Sequence, residues 1–175
     1  MFLAEIPREI ENVSLPAGAG GTRATLRIMS RLVKETRADP TIRNTAKNLV
    51  MTCAPGDYRA EVETCFHFVR DHIRYLQDTN GVERVSNPVV VLADQAGDCD
   101  DKACCLSALL ESIGHPCRFV AVGYTLPGEY EHVYVETRIG SSWVACETTL
   151  NVELGWAPVP PNVDEPVVCK MIEHI

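Results

Sequence analysis

No run in this 175-residue chain approaches the ~20 consecutive apolar residues that a membrane-spanning helix needs. The start, Met1-Phe2-Leu3-Ala4-Glu5, meets a charge too soon for the core of a signal peptide. Both absences lead to the expectation of a cytoplasmic protein with no membrane partner. No Cys-x-x-Cys pair exists among the eight cysteines, Cys53, Cys65, Cys99, Cys104, Cys105, Cys117, Cys146 and Cys169, so spacing gives a zinc site little support. Without an export signal, the even cysteine count reads as reduced, buried small side chains rather than as a disulfide framework. Basic residues are outnumbered: 16 Lys and Arg against 24 Asp and Glu give a formal net charge of −8, which argues against nucleic acid as a partner. There is no internal repeat, and no low-complexity tract beyond the glycine cluster that ends at Gly21.

What is present suits one packed core. Hydrophobic residues make up 46%, too many for a disordered segment, and the length falls short of two comfortable domains. The expected organisation is a flexible arm over 1–21 and a single domain over 22–175, with its core at about 58–158 and an irregular, proline-rich tail at 159–175. Apolar residues at helical spacing predict helices over 22–37, 40–52 and 58–73, the second capped by Asp39 with Pro40 at its first position. Residues 77–87 read as a loop, and Val89 to Leu92 as either a helical turn or an extended piece. A fourth helix runs from Cys99 to Ile113, with Asp98 as N-cap and Gly114 after its end. The pattern then changes to strands over 118–124, 133–137 and 143–146. Helices followed by an antiparallel sheet make an α+β domain.

The informative run is Gly97-Asp98-Cys99-Asp100-Asp101. A thiol in the first turn of a helix faces unpaired amides and the positive end of the dipole, both of which favour thiolate. Gly97 permits close backbone approach and an unusual φ. The three aspartates oppose ionisation, so a cationic neighbour is required. Cys99 shares a face with Ala103, Leu106 and Leu110, as a core residue would, but three aspartates and a glycine make an odd core position. His132 is the expected base. A hairpin centred on Ile139-Gly140 would set His132 directly opposite Glu147, with Cβ atoms roughly 4.5–5.5 Å apart. A one-residue slip would turn Glu147 to the other face. That pairing supplies a base and its orienting group, as cysteine–histidine catalysis needs.

These residues resemble a known family. The run from Gly97 to Ala103, the helix to Gly114-His115-Pro116-Cys117-Arg118, Glu131-His132-Val133-Tyr134-Val135-Glu136, Trp143-Val144-Ala145-Cys146-Glu147-Thr148-Thr149 and the upstream Phe68 to Tyr75 are similar to the transglutaminase-like superfamily. The layout is that of its small bacterial and phage members. The resemblance implies a papain-like core, with N-terminal helices packed on an antiparallel sheet and the nucleophile at the start of a central helix. It also implies a Cys-His-Asp triad, in which Cys99 and His132 match and Glu147 stands where the family usually has aspartate. For the oxyanion it implies the Cys99 amide together with the Tyr75 hydroxyl or, by analogy with papain-like enzymes, the Gln95 side chain.

The expected activity is acyl transfer on an amide or peptide bond, as a cysteine peptidase, amidase or transglutaminase, with no cofactor and no metal and with a protein or peptide as substrate. The alternative is a phage virion or assembly protein that uses the fold to bind partner proteins with little turnover, located in the host cell or particle. A zinc module built on Cys99 and His132 is the least supported reading.

Overall fold

The computed structural model describes residues 18–77, 84–158 and 169–175. Among these residues five helices and six strands follow in chain order. Helix α1 (Ala19–Thr36) buries Leu26, Met29 and Val33 on one stripe. Helix α2 (Pro40–Val50) starts as expected: the Asp39 carboxylate accepts the Thr41 N–H at 2.7 Å, and Pro40 fills the first position, where no N–H is needed. Helix α3 (Tyr58–His72) is capped by Asp57, which accepts the Ala60 N–H. Strand β1 (Arg74–Tyr75) follows, and helix α4 (Pro88–Asp94) is capped by Asn87. The segment left open between helix and strand is therefore helical.

Strand β2 (Ala96–Gly97) pairs in parallel with β1 and leads into helix α5 (Cys99–Ser112). Strands β3 (Cys117–Gly123), β4 (His132–Ile139), β5 (Ser142–Cys146) and β6 (Cys169–His174) form an antiparallel sheet in the order β5-β4-β3-β6. This is the α+β, papain-like arrangement that the sequence implies, with helices on one face of the sheet.

Two boundaries differ from expectation. Residues 18–21 belong to the cap and first turn of α1 rather than to an arm, while 1–17 lie outside the described residues. The last seven residues are not irregular. Cys169–His174 pairs with β3 from Gly123↔Cys169 to Arg118↔His174, so the chain closes the sheet at its free edge. The preceding 159–168 lie outside the described residues.

Helix α5 is the axis of the domain. It packs against α1, α2, α3, α4 and β4, and residues 101–110 are buried on every side. A helix enclosed this way has no solvent stripe, which is why its sequence runs Ala-Cys-Cys-Leu-Ser-Ala-Leu-Leu without amphipathic contrast. The enclosure fixes its first residue, Cys99, relative to the sheet. Among the described residues no helix is long and apolar enough to cross a membrane.

Candidate active site

Three short backbone devices place Cys99. Gln95 ends α4 in the left-handed region (φ 50°), with its N–H on the Val91 carbonyl. The chain then enters β2, where Arg74 donates to the Gln95 carbonyl at 2.9 Å and Leu76 to the Gly97 carbonyl at 3.0 Å. Finally Asp98 caps α5, accepting the Asp100 and Asp101 amides at 3.0 and 3.1 Å. Gly97 serves close approach and not an unusual φ. A Cβ there would lie 2.5 Å from the Asp101 Cβ, and Asp101 is held in turn by the Ser86 amide at 2.7 Å. Gly97→Ala is expected to lower stability by about 1–3 kcal/mol, the usual cost of overpacking, as read by thermal denaturation. A variant within a few tenths of wild type would show that Asp101 can move aside.

The Cys99 sulfur receives a hydrogen bond from the Val133 amide, which sets it against the start of β4, next to His132. Its thiol also donates to Asp100 Oδ1 at 3.5 Å. Burial, then the Asp100 and Asp98 carboxylates, push the thiol well above the ordinary cysteine range, and the Val133 amide offsets only part of this. The helix start therefore does not by itself make a thiolate here. Cys99 and His132 border one cavity of about 80 Å³, whose opposite wall is Thr22, Thr25, Leu26 and Met29 of α1.

His132 and Glu147 meet: Nε2 lies 2.5 Å from Oε2. The hairpin that brings them together has a different register from the expected one. Its loop is Gly140-Ser141, with Gly140 at φ 61°, and Arg138 pairs with Trp143, where the sequence reading sets it against Ser141. The shift is two residues, so every side chain keeps its face. Glu147, just past β5, becomes the diagonal neighbour of His132. Diagonal positions are about 7–8 Å apart, and the extra methylene of glutamate helps to cover that gap.

Glu147 has no solvent exposure. The Thr149 amide and hydroxyl both donate to its Oε1, at 2.7 and 2.5 Å. Burial raises its pKa, but the His132 and Thr149 contacts together outweigh burial and hold it below the usual range, so it is an ionised carboxylate. An ionised Oε2 accepts a hydrogen bond from Nε2–H, which leaves Nδ1 as the basic nitrogen. The two oxyanion candidates differ in placement. Tyr75 pairs with Gly97 across β1 and β2, and its phenol is raised first by burial and then by Cys99. Gln95 is exposed, and its described bonds are those of its backbone.

Sequence reasoning misses two residues. Thr149 fixes Glu147 from two positions along the chain, a spacing typical of a side chain holding its own turn. Lys102, a charged residue one turn into α5, is only 2% exposed. Its Nζ donates to the carbonyls of Ile73 at 2.5 Å and Arg70 at 3.2 Å, at the end of α3. Burial lowers it to about 8, against the pull of nearby acids including Glu147. Among the described residues no group of three His, Cys, Asp or Glu side chains is arranged to hold a metal ion.

The family model of the transglutaminase-like superfamily matches residues 43–148. No curated protein matches in sequence. Solved structures do match. One is a protease candidate from Parabacteroides distasonis (15% identity, TM-score 0.60, covering 73% of this chain and 26% of that one). A second is a cysteine protease candidate from Cytophaga hutchinsonii (14%, TM-score 0.56, 82% and 47%). A third is calcium-bound LapG from Legionella pneumophila (17%, TM-score 0.51, 74% and 76%). The chain thus spans about a quarter and about half of the first two, and identities this low carry the fold alone. The family match covers more than half of the chain, from α2 to just past β5, and holds Cys99, His132 and Glu147 within it: the chain belongs to the transglutaminase-like superfamily.

Proposed function

We propose that this chain is a cysteine-dependent acyl-transfer enzyme acting on peptide or amide carbonyls, with Cys99 as nucleophile, His132 as base and Glu147 as its orienting carboxylate. The observation that carries the reading is the His132–Glu147 contact, made by a buried carboxylate fixed by Thr149, next to a thiol at the start of a buried helix. The protease candidates of the same fold support it.

In this reading the resting sulfur is a thiol, because burial and two aspartates oppose the thiolate. When a carbonyl carbon approaches, His132 Nδ1 takes the thiol proton as Sγ bonds to carbon. The carbonyl oxygen gains the charge, which in this reading the Cys99 amide and the Tyr75 hydroxyl would stabilise. Glu147 offsets the imidazolium. His132 then passes its proton to the departing amine as the C–N bond breaks, leaving a thioester. Water resolves the thioester by the same base, giving the acid and restoring the thiol.

Incubation with an unfolded protein such as reduced, alkylated casein tests this and the choice of acceptor. New N-termini are expected with the wild type and none with Cys99→Ala. Incorporation of a fluorescent primary amine without new termini would move the assignment to cross-linking. Neither product, at enzyme concentrations that tolerate slow turnover, would defeat the reading.

A further inference from the structure

A second cavity, of about 350 Å³, shares no lining residue with the one bordered by Cys99 and His132. Its walls are the end of α3 and the start of β1 (70–75), Lys102, and the turn 149–151. Two of these walls already serve the site: Tyr75 is paired to Gly97, and Thr149 holds Glu147. The volume is that of a small ligand pocket.

The charges here run against the molecule as a whole. Arg70 and Asp71 neutralise one another, with bonds of 2.7 and 3.0 Å, and Arg70 also donates to the Val152 carbonyl and meets His67 Nδ1 at 3.1 Å. Glu147, the acid nearest Lys102 from the sheet side, is committed to His132 and Thr149. Among the described residues that line the cavity, this leaves two permanently basic groups, the Lys102 ammonium in the wall and Arg74 at the exposed rim, in a chain of net charge −8. Two of the three Lys102 protons are placed on Arg70 and Ile73 carbonyls, which leaves one for a further acceptor. Beside these cations stand two half-exposed apolar side chains, Tyr75 at 48% and Leu150 at 49%.

From this juxtaposition of Lys102 and Arg74 with Tyr75 and Leu150 we infer that the cavity is a substrate subsite for an acidic side chain, its carboxylate on the two cations and its methylenes on the two apolar walls. The inference rests on the acyl-transfer reading for what the bound peptide is doing there. It assigns the peptide substrate an aspartate or glutamate near the bond that Cys99 attacks.

Binding, rather than turnover, gives the decisive test. The Cys99→Ala protein is titrated by NMR with acetyl-Ala-Glu-Ala-amide and, separately, with its glutamine counterpart. The glutamate peptide is expected to bind about tenfold more tightly, as for a charge-assisted contact over a neutral one, with shifts at Ile73, Tyr75 and Leu150. Arg74→Glu, a rim change that leaves packing intact, should abolish the preference; Lys102→Met should do the same if it folds. Equal binding of both peptides, no binding of either, or shifts confined to other surfaces would overturn the subsite. Failure of the two readings stays separable: Cys99-dependent peptide cleavage without acidic preference removes only the subsite, and glutamate binding without any Cys99-dependent product removes only the acyl-transfer assignment.

Discussion

Turnover is expected to vanish in Cys99→Ala and to fall by about 10²–10⁴-fold in Glu147→Gln, with folding retained in both. Cys99→Ala removes the only atom that can carry the acyl group in the proposed cycle. Glu147→Gln keeps the size of the side chain, and its amide oxygen can still accept from Thr149. What it loses is the charge that holds the proton on Nε2 and offsets the imidazolium. The more telling variant is Glu147→Asp. Aspartate is the usual residue at this position in the implied family triad, yet here it should restore only part of the rate. The hairpin loop at Gly140-Ser141 puts this position diagonal to His132, and a shortened side chain falls back from Nε2. Steady-state kinetics on the three variants, with circular dichroism to confirm folding, check the ranking. A Glu147→Asp enzyme as fast as wild type would show that the diagonal distance does not govern the contact.

The second large effect is alkaline lability. Five thiols, Cys65, Cys104, Cys105, Cys117 and Cys146, are fully buried, and burial raises each of them, Cys65 and Cys105 to about 12. In the unfolded chain they ionise near 9. Between these limits the native state holds more protons than the unfolded state, so stability falls as pH rises. By pH 10 the loss is about 1.4 kcal/mol per thiol, roughly 7 kcal/mol for five. Lys102 acts in the opposite sense. Its folded value is about 8 against 10.5 unfolded, so removing its proton in the native state adds stability as pH rises through that window. One lysine contributes roughly 2–3 kcal/mol by pH 10, and the thiols prevail. The net change is a large part of the 5–15 kcal/mol typical of a domain. Urea unfolding under a phosphine reductant should show the midpoint dropping steeply from pH 8.5 to pH 10. An unchanged midpoint would mean that these thiols are hydrated or already ionised in the native state.

Much of the fold is legible in the sequence where a signal is local. Asp39-Pro40 and Asp98 mark helix starts through their own side chains, and the structure finds both aspartates accepting an amide within the first turn. The strands flanking Gly140 are equally plain from alternation. The register between them is less so, because Ile139-Gly140 and Gly140-Ser141 both offer a glycine, and only the latter keeps the β-branched Ile139 out of a turn position that can demand positive φ. Strand β6 escapes notice because its partner β3 lies some fifty residues earlier, and the prolines before it suggest an irregular end. Lys102 escapes for the same reason. What satisfies its charge is the end of α3, which is thirty residues away in sequence and adjacent only in space. At the site, the carriers of chemistry are legible by type and the settings that tune them are not. The aspartates beside Cys99 are visible, but the burial that adds to their effect depends on the packing of α5 and β4 against one another.

In the proposed cycle the Cys99 thiol is protonated at rest and activated by His132 at the moment of attack. Intact-protein mass spectrometry during a single exposure to a p-nitrophenyl acyl ester, with the acylated residue located by peptide mapping, reads this directly. The account predicts one acyl group per chain, on Cys99, arriving at least a hundredfold more slowly in His132→Ala. Acylation of Cys99 at equal rates with and without His132, or an acyl group on some other cysteine, would contradict it.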